Sequence, residues 1–126
     1  FTSLKELDLY DNNLLKIPES IGSLKSLERL NLRNNELTRL PTSFLKLRSL
    51  KNLNLSWNNL RDLPKWIGSL SALEELNLWG NQLETLPDSI ASLSSLKILD
   101  LNFNKIEEIP PSLRELERNN ELVIKF

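Results

Sequence analysis

Two carboxylate pairs, Asp8 with Asp11 and Glu107 with Glu108, are the residues of this 126-residue chain whose type and spacing come nearest to catalytic chemistry. Paired carboxylates can hydrolyse glycosides or hold a hard cation. Both pairs fall at exposed positions of a repeating pattern, and nothing beside them promises a deep, dry pocket to raise a carboxyl pKa. The chain has no Cys and no His, which removes thiolate nucleophiles, disulfides, imidazole acid-base catalysis and the usual zinc ligands together. Gly22, Gly68 and Gly80 stand alone, so there is no glycine-rich loop to cradle a phosphate. With 16 Lys and Arg against 17 Asp and Glu, no net positive field draws nucleic acid or an anionic membrane. The longest apolar run, Leu122–Ile124, is far shorter than the ~20 residues of a spanning helix. The expectation is a non-enzyme with no catalytic residues, metal or cofactor, no nucleic-acid partner and no membrane insertion.

What the sequence does carry is periodicity. Leu occupies 31 of the 126 positions. Leu4, Leu27, Leu50, Leu73 and Leu96 lie 23 residues apart, and Pro18, Pro41, Pro64, Pro87 and Pro110 keep the same step. Each unit reads L-x-x-L-x-L-x-x-N-x-(L/I)-x-x-(L/I)-P-x-x-(I/F/L)-x-x-L, as in Leu73, Leu76, Leu78, Asn81, Leu83, Leu86, Pro87, Ile90 and Leu93. In the L-x-L stretch apolar and polar residues alternate, as in Leu30, Asn31, Leu32 and Arg33, which predicts a short strand with one buried face. After the Pro the spacing becomes i, i+3, i+6, as in Ile67, Leu70 and Leu73, which predicts a leg of one or two helical turns. One such unit cannot bury its own leucines, so identical units must stack. Strands then sit about 4.8 Å apart while helices with side chains need about 10 Å, so the sheet becomes the inner wall of a curve. The predicted fold is an α/β solenoid with a concave parallel sheet and short helical legs on the convex side.

This pattern resembles the leucine-rich repeat family, whose units open with the same signature. The resemblance runs through units 4–26, 27–49, 50–72, 73–95 and 96–118, with a partial unit at 119–126, and makes residues 1–126 one horseshoe segment. It is similar to intracellular Ras-group and Scribble-like proteins, to plant relatives and to bacterial and archaeal repeat proteins. That likeness implies a scaffold or adaptor role and favours the cytoplasm. It also implies that Asn12, Asn35, Asn58, Asn81 and Asn104 form a structural ladder without chemistry. Their position agrees, because each sits where strand turns to loop, and a buried amide there satisfies backbone groups that the bend leaves unpaired.

Function is therefore sought at the outward strand positions. Tyr10, Arg29, Arg33, Asn54, Asn77, Trp79, Asp100 and Asn102 are the predicted partner-binding residues, and Ser56 shares their face. Trp79 leads, since a large aromatic on an open sheet exposes apolar area and Trp is enriched at interface hot spots. The middle column, Asp8, Asn31, Asn54, Asn77 and Asp100, is open to two readings, binding or family consensus. Trp57 and Phe103 fall one residue past the strand, where alternation predicts no direction. Trp66 interrupts a column of Ser20, Ser43, Ser89 and Ser112, either as local packing or as a convex contact. The expected function is a protein-protein interaction module holding a protein or peptide on its concave face. One alternative is a structural or regulatory segment packed on its own neighbouring domain. The other is a carbohydrate or small-ligand binder, suggested by Trp79 beside Asn77, Asn54 and Asp100. At the ends, Phe1 aligns with Leu24 and Leu47, which predicts residues upstream, whereas Asn119, Asn120 and Glu121 predict a polar terminus. An uncovered first strand predicts self-association through the N-terminal end.

Overall fold

The computed structural model describes residues 3–119 and 122–126, so the expectations resting on Phe1, Asn120 and Glu121 lie outside the described residues. Six strands, β1 (Glu6–Asp8), β2 (Arg29–Asn31), β3 (Asn52–Asn54), β4 (Glu75–Asn77), β5 (Ile98–Asp100) and β6 (Val123–Lys125), form one parallel sheet in sequence order. The 23-residue step of the sequence is the register itself: Leu7 pairs with Leu30, Leu30 with Leu53, Leu53 with Leu76, and Leu76 with Leu99. At the last crossover the step lengthens by two residues, so that Val123 faces Ile98 and Lys125 faces Asp100. Inner and outer faces survive that change because side-chain direction alternates with period two. From β2 to β5 the central leucines are buried and join Leu27, Leu50, Leu73 and Leu96 in one continuous core.

The first four legs are 3-10 helices of five residues, at Glu19–Ser23, Thr42–Lys46, Lys65–Ser69 and Asp88–Ser92. Their apolar spacing of three matches the three residues per turn of a 3-10 helix. Each begins after an extended proline, whose carbonyl accepts the first bond, as when the Ile21 N–H donates to Pro18 O at 3.1 Å. The fifth leg, α1 (Pro111–Asn119), is α-helical. Here Leu, Arg and Glu, all good helix formers, replace the Ser and Gly of the other legs, and Arg114 pairs with Glu117 at 3.0 Å.

The legs are not evenly stacked. The first and second approach closely, as do the third and fourth. Glycine permits both approaches: a Cβ on Gly22 would stand 2.8 Å from Ser43 O, and one on Gly68 only 2.2 Å from Ser89 O. Leu45 occupies the equivalent place in the second leg, and between that leg and the third the Trp66 ring packs on Phe44, with centroids 6.4 Å apart. Trp66 is thus local packing that fills the wider gap.

Candidate functional site

With the leucines turned inward, the intervening side chains of β1 to β4 line a shallow groove of about 330 Å³ on the concave wall. Charged and amide groups cross-link it from strand to strand. Arg29 forms an ion pair with Glu6, which by hydrogen bonding first and charge attraction second raises the guanidinium pKa above its ordinary value. Asn52 Nδ2 donates to Glu75 Oε2 at 3.0 Å.

The middle column has a backbone task. Asp8, Asn31, Asn54, Asn77 and Asp100 each accept, through Oδ1, the N–H of the residue two positions on, all at 3.0 Å. The reason lies in the parallel ladder, whose next rung after Leu9 N–H to Asn31 O would run from the Arg33 N–H to Leu9 O. The strand bends there, and both ends of that rung find side-chain substitutes: Asn31 takes the Arg33 N–H, and Asn35 Nδ2 donates to Leu9 O at 3.0 Å. The same exchange recurs with Asn54 and Asn58, with Asn77 and Asn81, and with Asp100 and Asn104. The Asn ladder and the middle column are therefore two halves of one device. Asn35, Asn58 and Asn81 are buried, Asn104 is half-buried, and Asn12, the first rung, is exposed.

The row beyond, Tyr10, Arg33, Ser56, Trp79 and Asn102, departs from simple alternation. Ser56 points to the predicted face yet is 0% exposed, its hydroxyl donating to Asn54 Oδ1 at 2.6 Å. Arg33 and Trp79 flank it in the row, and the Arg33 guanidinium lies 5.8 Å from the Trp79 ring centroid, so the small Ser lets its two neighbours meet. Trp79 does not project freely from the sheet: it is half-buried, and its Nε1 is enclosed without a hydrogen-bond partner among the described residues. Trp57 packs on it at 5.5 Å and Phe103 at 5.9 Å between centroids, both tilted.

Trp57 and Phe103 take their direction from an unusual backbone. Asp11, Asn34, Trp57, Gly80 and Phe103 form one column, and all five have positive φ, from 55° to 74°. Asp, Asn and Gly tolerate that left-handed conformation, whereas a bulky side chain is strained there by about 1–2 kcal/mol. The turn throws both aromatic rings outward, leaving Trp57 43% and Phe103 74% exposed. Gly80 makes room for the first: a Cβ there would stand 2.9 Å from Trp57 Cδ2.

Sequence and geometry meet in comparison with known proteins. Residues 1–82 match the family described as leucine-rich repeat region, and residues 71–115 match that described as leucine-rich repeats in two copies. The chain belongs to the leucine-rich repeat family. Its fold is similar to a leucine-rich repeat protein of Leptospira interrogans, with 35% identity and a TM-score of 0.75 over 98% of this chain and 37% of that one. It is also similar to the ectodomain of the receptor kinase SOBIR1 from Arabidopsis thaliana, with 28% identity and a TM-score of 0.78 over 95% of this chain and 66% of that one. A third likeness is to the plant peptide hormone receptor RGFR1 in complex with RGF2, with 27% identity and a TM-score of 0.73 over 98% and 24% of the two chains. This chain thus spans less than two thirds of each of these relatives. No curated protein matches it.

Within this leucine-rich repeat scaffold the predicted binding residues separate into groups. Arg29, Asn54 and Asn77 line the concave groove. Arg33 and Trp79 belong to the aromatic cluster. Tyr10 stands exposed beside β1, and Asp100 and Asn102 lie at β5, joined by the bond between the Asp100 carboxylate and the Asn102 N–H. Sequence reasoning left Trp57 and Phe103 undirected, although the Asp, Asn and Gly at the other places of their column signal a left-handed turn. The carboxylate pairs are exposed, and Asp8 and Asp11 already accept bonds from Tyr10 N–H and Asn34 Nδ2. Among the described residues no three His, Cys, Asp or Glu side chains gather as a metal site, and no helix is long and apolar enough to cross a membrane.

Proposed function

We propose that the chain is a non-catalytic protein-interaction module that holds a peptide or one small domain of a partner protein along its concave face. The observation that carries this reading is the groove across β1 to β4, where Arg29, Asn52, Asn54 and Glu75 present polar groups on a sheet held rigid from behind by the leucine core. Six strands leave five gaps of ~4.8 Å, about 24 Å of width, which suits a compact contact of about 800 Å² per partner. Similarity to a receptor ectodomain and to a peptide hormone receptor solved in complex with RGF2 supports a protein or peptide as the occupant. Half-buried Trp79, held by Arg33, Trp57 and Phe103, is the preorganised anchor at the edge of that face.

Affinity pull-down identifies the partner, and titration calorimetry of variants then tests the surface. Trp79→Ala is expected to weaken binding by about 2 kcal/mol. Unchanged affinity in Trp79→Ala, Arg33→Ala and Asp100→Ala alike would move the site off this face.

A further inference from the structure

The groove leaves the exposed rings of Trp57 and Phe103 unused. Trp57 and Phe103 stand on the rim where strands turn to loops, and with Asn34, Glu36, Asn59 and Gln82 they bound a separate open cavity of about 510 Å³. Three features make the rim a built platform. Both rings sit on left-handed residues, at φ 55°, where other repeats place Asp, Asn or Gly. Both are fixed from one side by Trp79, and Trp57 also rests over Gly80, so neither ring is free to fold back onto the loops. The side-chain amides of Asn59 and Gln82 make no hydrogen bond among the described residues and line the same cavity as the two rings.

We infer that this rim binds a carbohydrate, a short oligosaccharide stacked on Trp57 and Phe103 and hydrogen-bonded through the Asn59 and Gln82 amides that line the same cavity. A sugar ring offers an apolar C–H face and a rim of hydroxyls that both donate and accept. Aromatic faces match the first, and an amide, with its own donors and acceptor, matches the second. The charge of the site selects against other stacking ligands. A cationic ligand meets Arg33 already lying over Trp79, and a single-stranded nucleic acid would need a basic track, whereas the cavity wall carries no Lys or Arg and one acidic residue, Glu36. Of these three kinds of stacking ligand, the neutral, hydroxyl-rich one fits both the rings and the amides. The rim cavity shares no lining residue with the concave groove, and the two readings have in common only Trp79, which holds both rings, and Arg33 above it.

The test is a broad array of neutral oligosaccharides probed with the 126-residue chain, followed by calorimetric titration of the best-retained sugar. Asn accepts the left-handed backbone, so Trp57→Asn and Phe103→Asn remove the rings while keeping the fold, which circular dichroism checks. Each is expected to weaken the sugar about tenfold, the effect of losing one stacked ring, and the double variant to abolish retention, while Trp66→Ser on the convex side leaves sugar affinity unchanged. An array with no sugar retained above background would overturn the inference, as would a sugar held equally by the parent and the folded double variant. Loss of a protein partner in the double variant, with no sugar bound by the parent, would assign the rim to that protein and overturn it as well.

Discussion

Asn58 shows how one side chain holds three stretches of backbone together. It accepts the Leu37 N–H at 3.0 Å and donates to Leu32 O and Leu55 O at 3.0 and 3.1 Å, all in the buried interior. Asn58→Ala would leave those groups without partners where water does not reach, and is expected to cost about 1–3 kcal/mol. Asn31, the other half of the neighbouring exchange, covers one half-buried N–H. Solvent can replace it, so Asn31→Ala is expected to cost about 1 kcal/mol or less. Urea denaturation of the two variants measures the difference, and equal losses would contradict the division of labour between the columns.

At the scale of elements, the leg-to-leg approach sets a sharper limit than the sheet. Gly68 lies against the backbone carbonyl of Ser89 and Gly22 against that of Ser43, and backbone yields less readily than a flexible side chain. Gly68→Ala should force the third and fourth legs apart and lower stability by about 1–3 kcal/mol, with a smaller loss for Gly22→Ala, whose contact is longer. Thermal melts give the order, and a reversed order would mean that the legs move freely. These elements also show what the sequence makes legible. Strands, legs and core face follow from Leu spacing alone, because burial repeats with the backbone period. The rim does not, because alternation stops at residues such as Trp57 and Phe103, where the backbone turns left-handed. Nor does the burial of Ser56, which depends on Arg33 and Trp79 meeting from two different repeats. The middle column was legible as a column, but its hydrogen bonds required the position of the bend.

In the whole molecule, stacking in sequence order turns halves of the chain into ends of a solid. Residues 1–63 hold 10 basic and 7 acidic side chains, or +3, and residues 64–126 hold 6 and 10, or -4. A partner steered by that axial field should associate more slowly as salt rises, since exposed charges are screened beyond ~8 Å at physiological ionic strength. Stopped-flow rates across a salt series check this, and a flat profile would remove the field from recognition. At the β1 end, Leu9, Leu14, Ile17 and Leu24 border an apolar cavity of about 370 Å³ and Leu15 is 70% exposed. The 126-residue chain is therefore expected to self-associate at high concentration, and Leu15→Lys to reduce it, as read by sedimentation. A strictly monomeric parent would show this surface to be adequately covered. The exchange between paired Asn and Asp residues has one more consequence. From β1 to β5 each unit offers its neighbour the same bonds at the same 23-residue step, so within that stretch the backbone pairing cannot tell one unit from another, and a chain slipped by a full repeat would satisfy it nearly as well. Order must be remembered by what does not repeat: Trp66 seated on Phe44, Gly68 against Ser89, Arg33 reaching over Ser56 to Trp79. The irregular residues act as addresses, and erasing them towards consensus would leave a molecule just as well bonded but less certain of its own sequence in space.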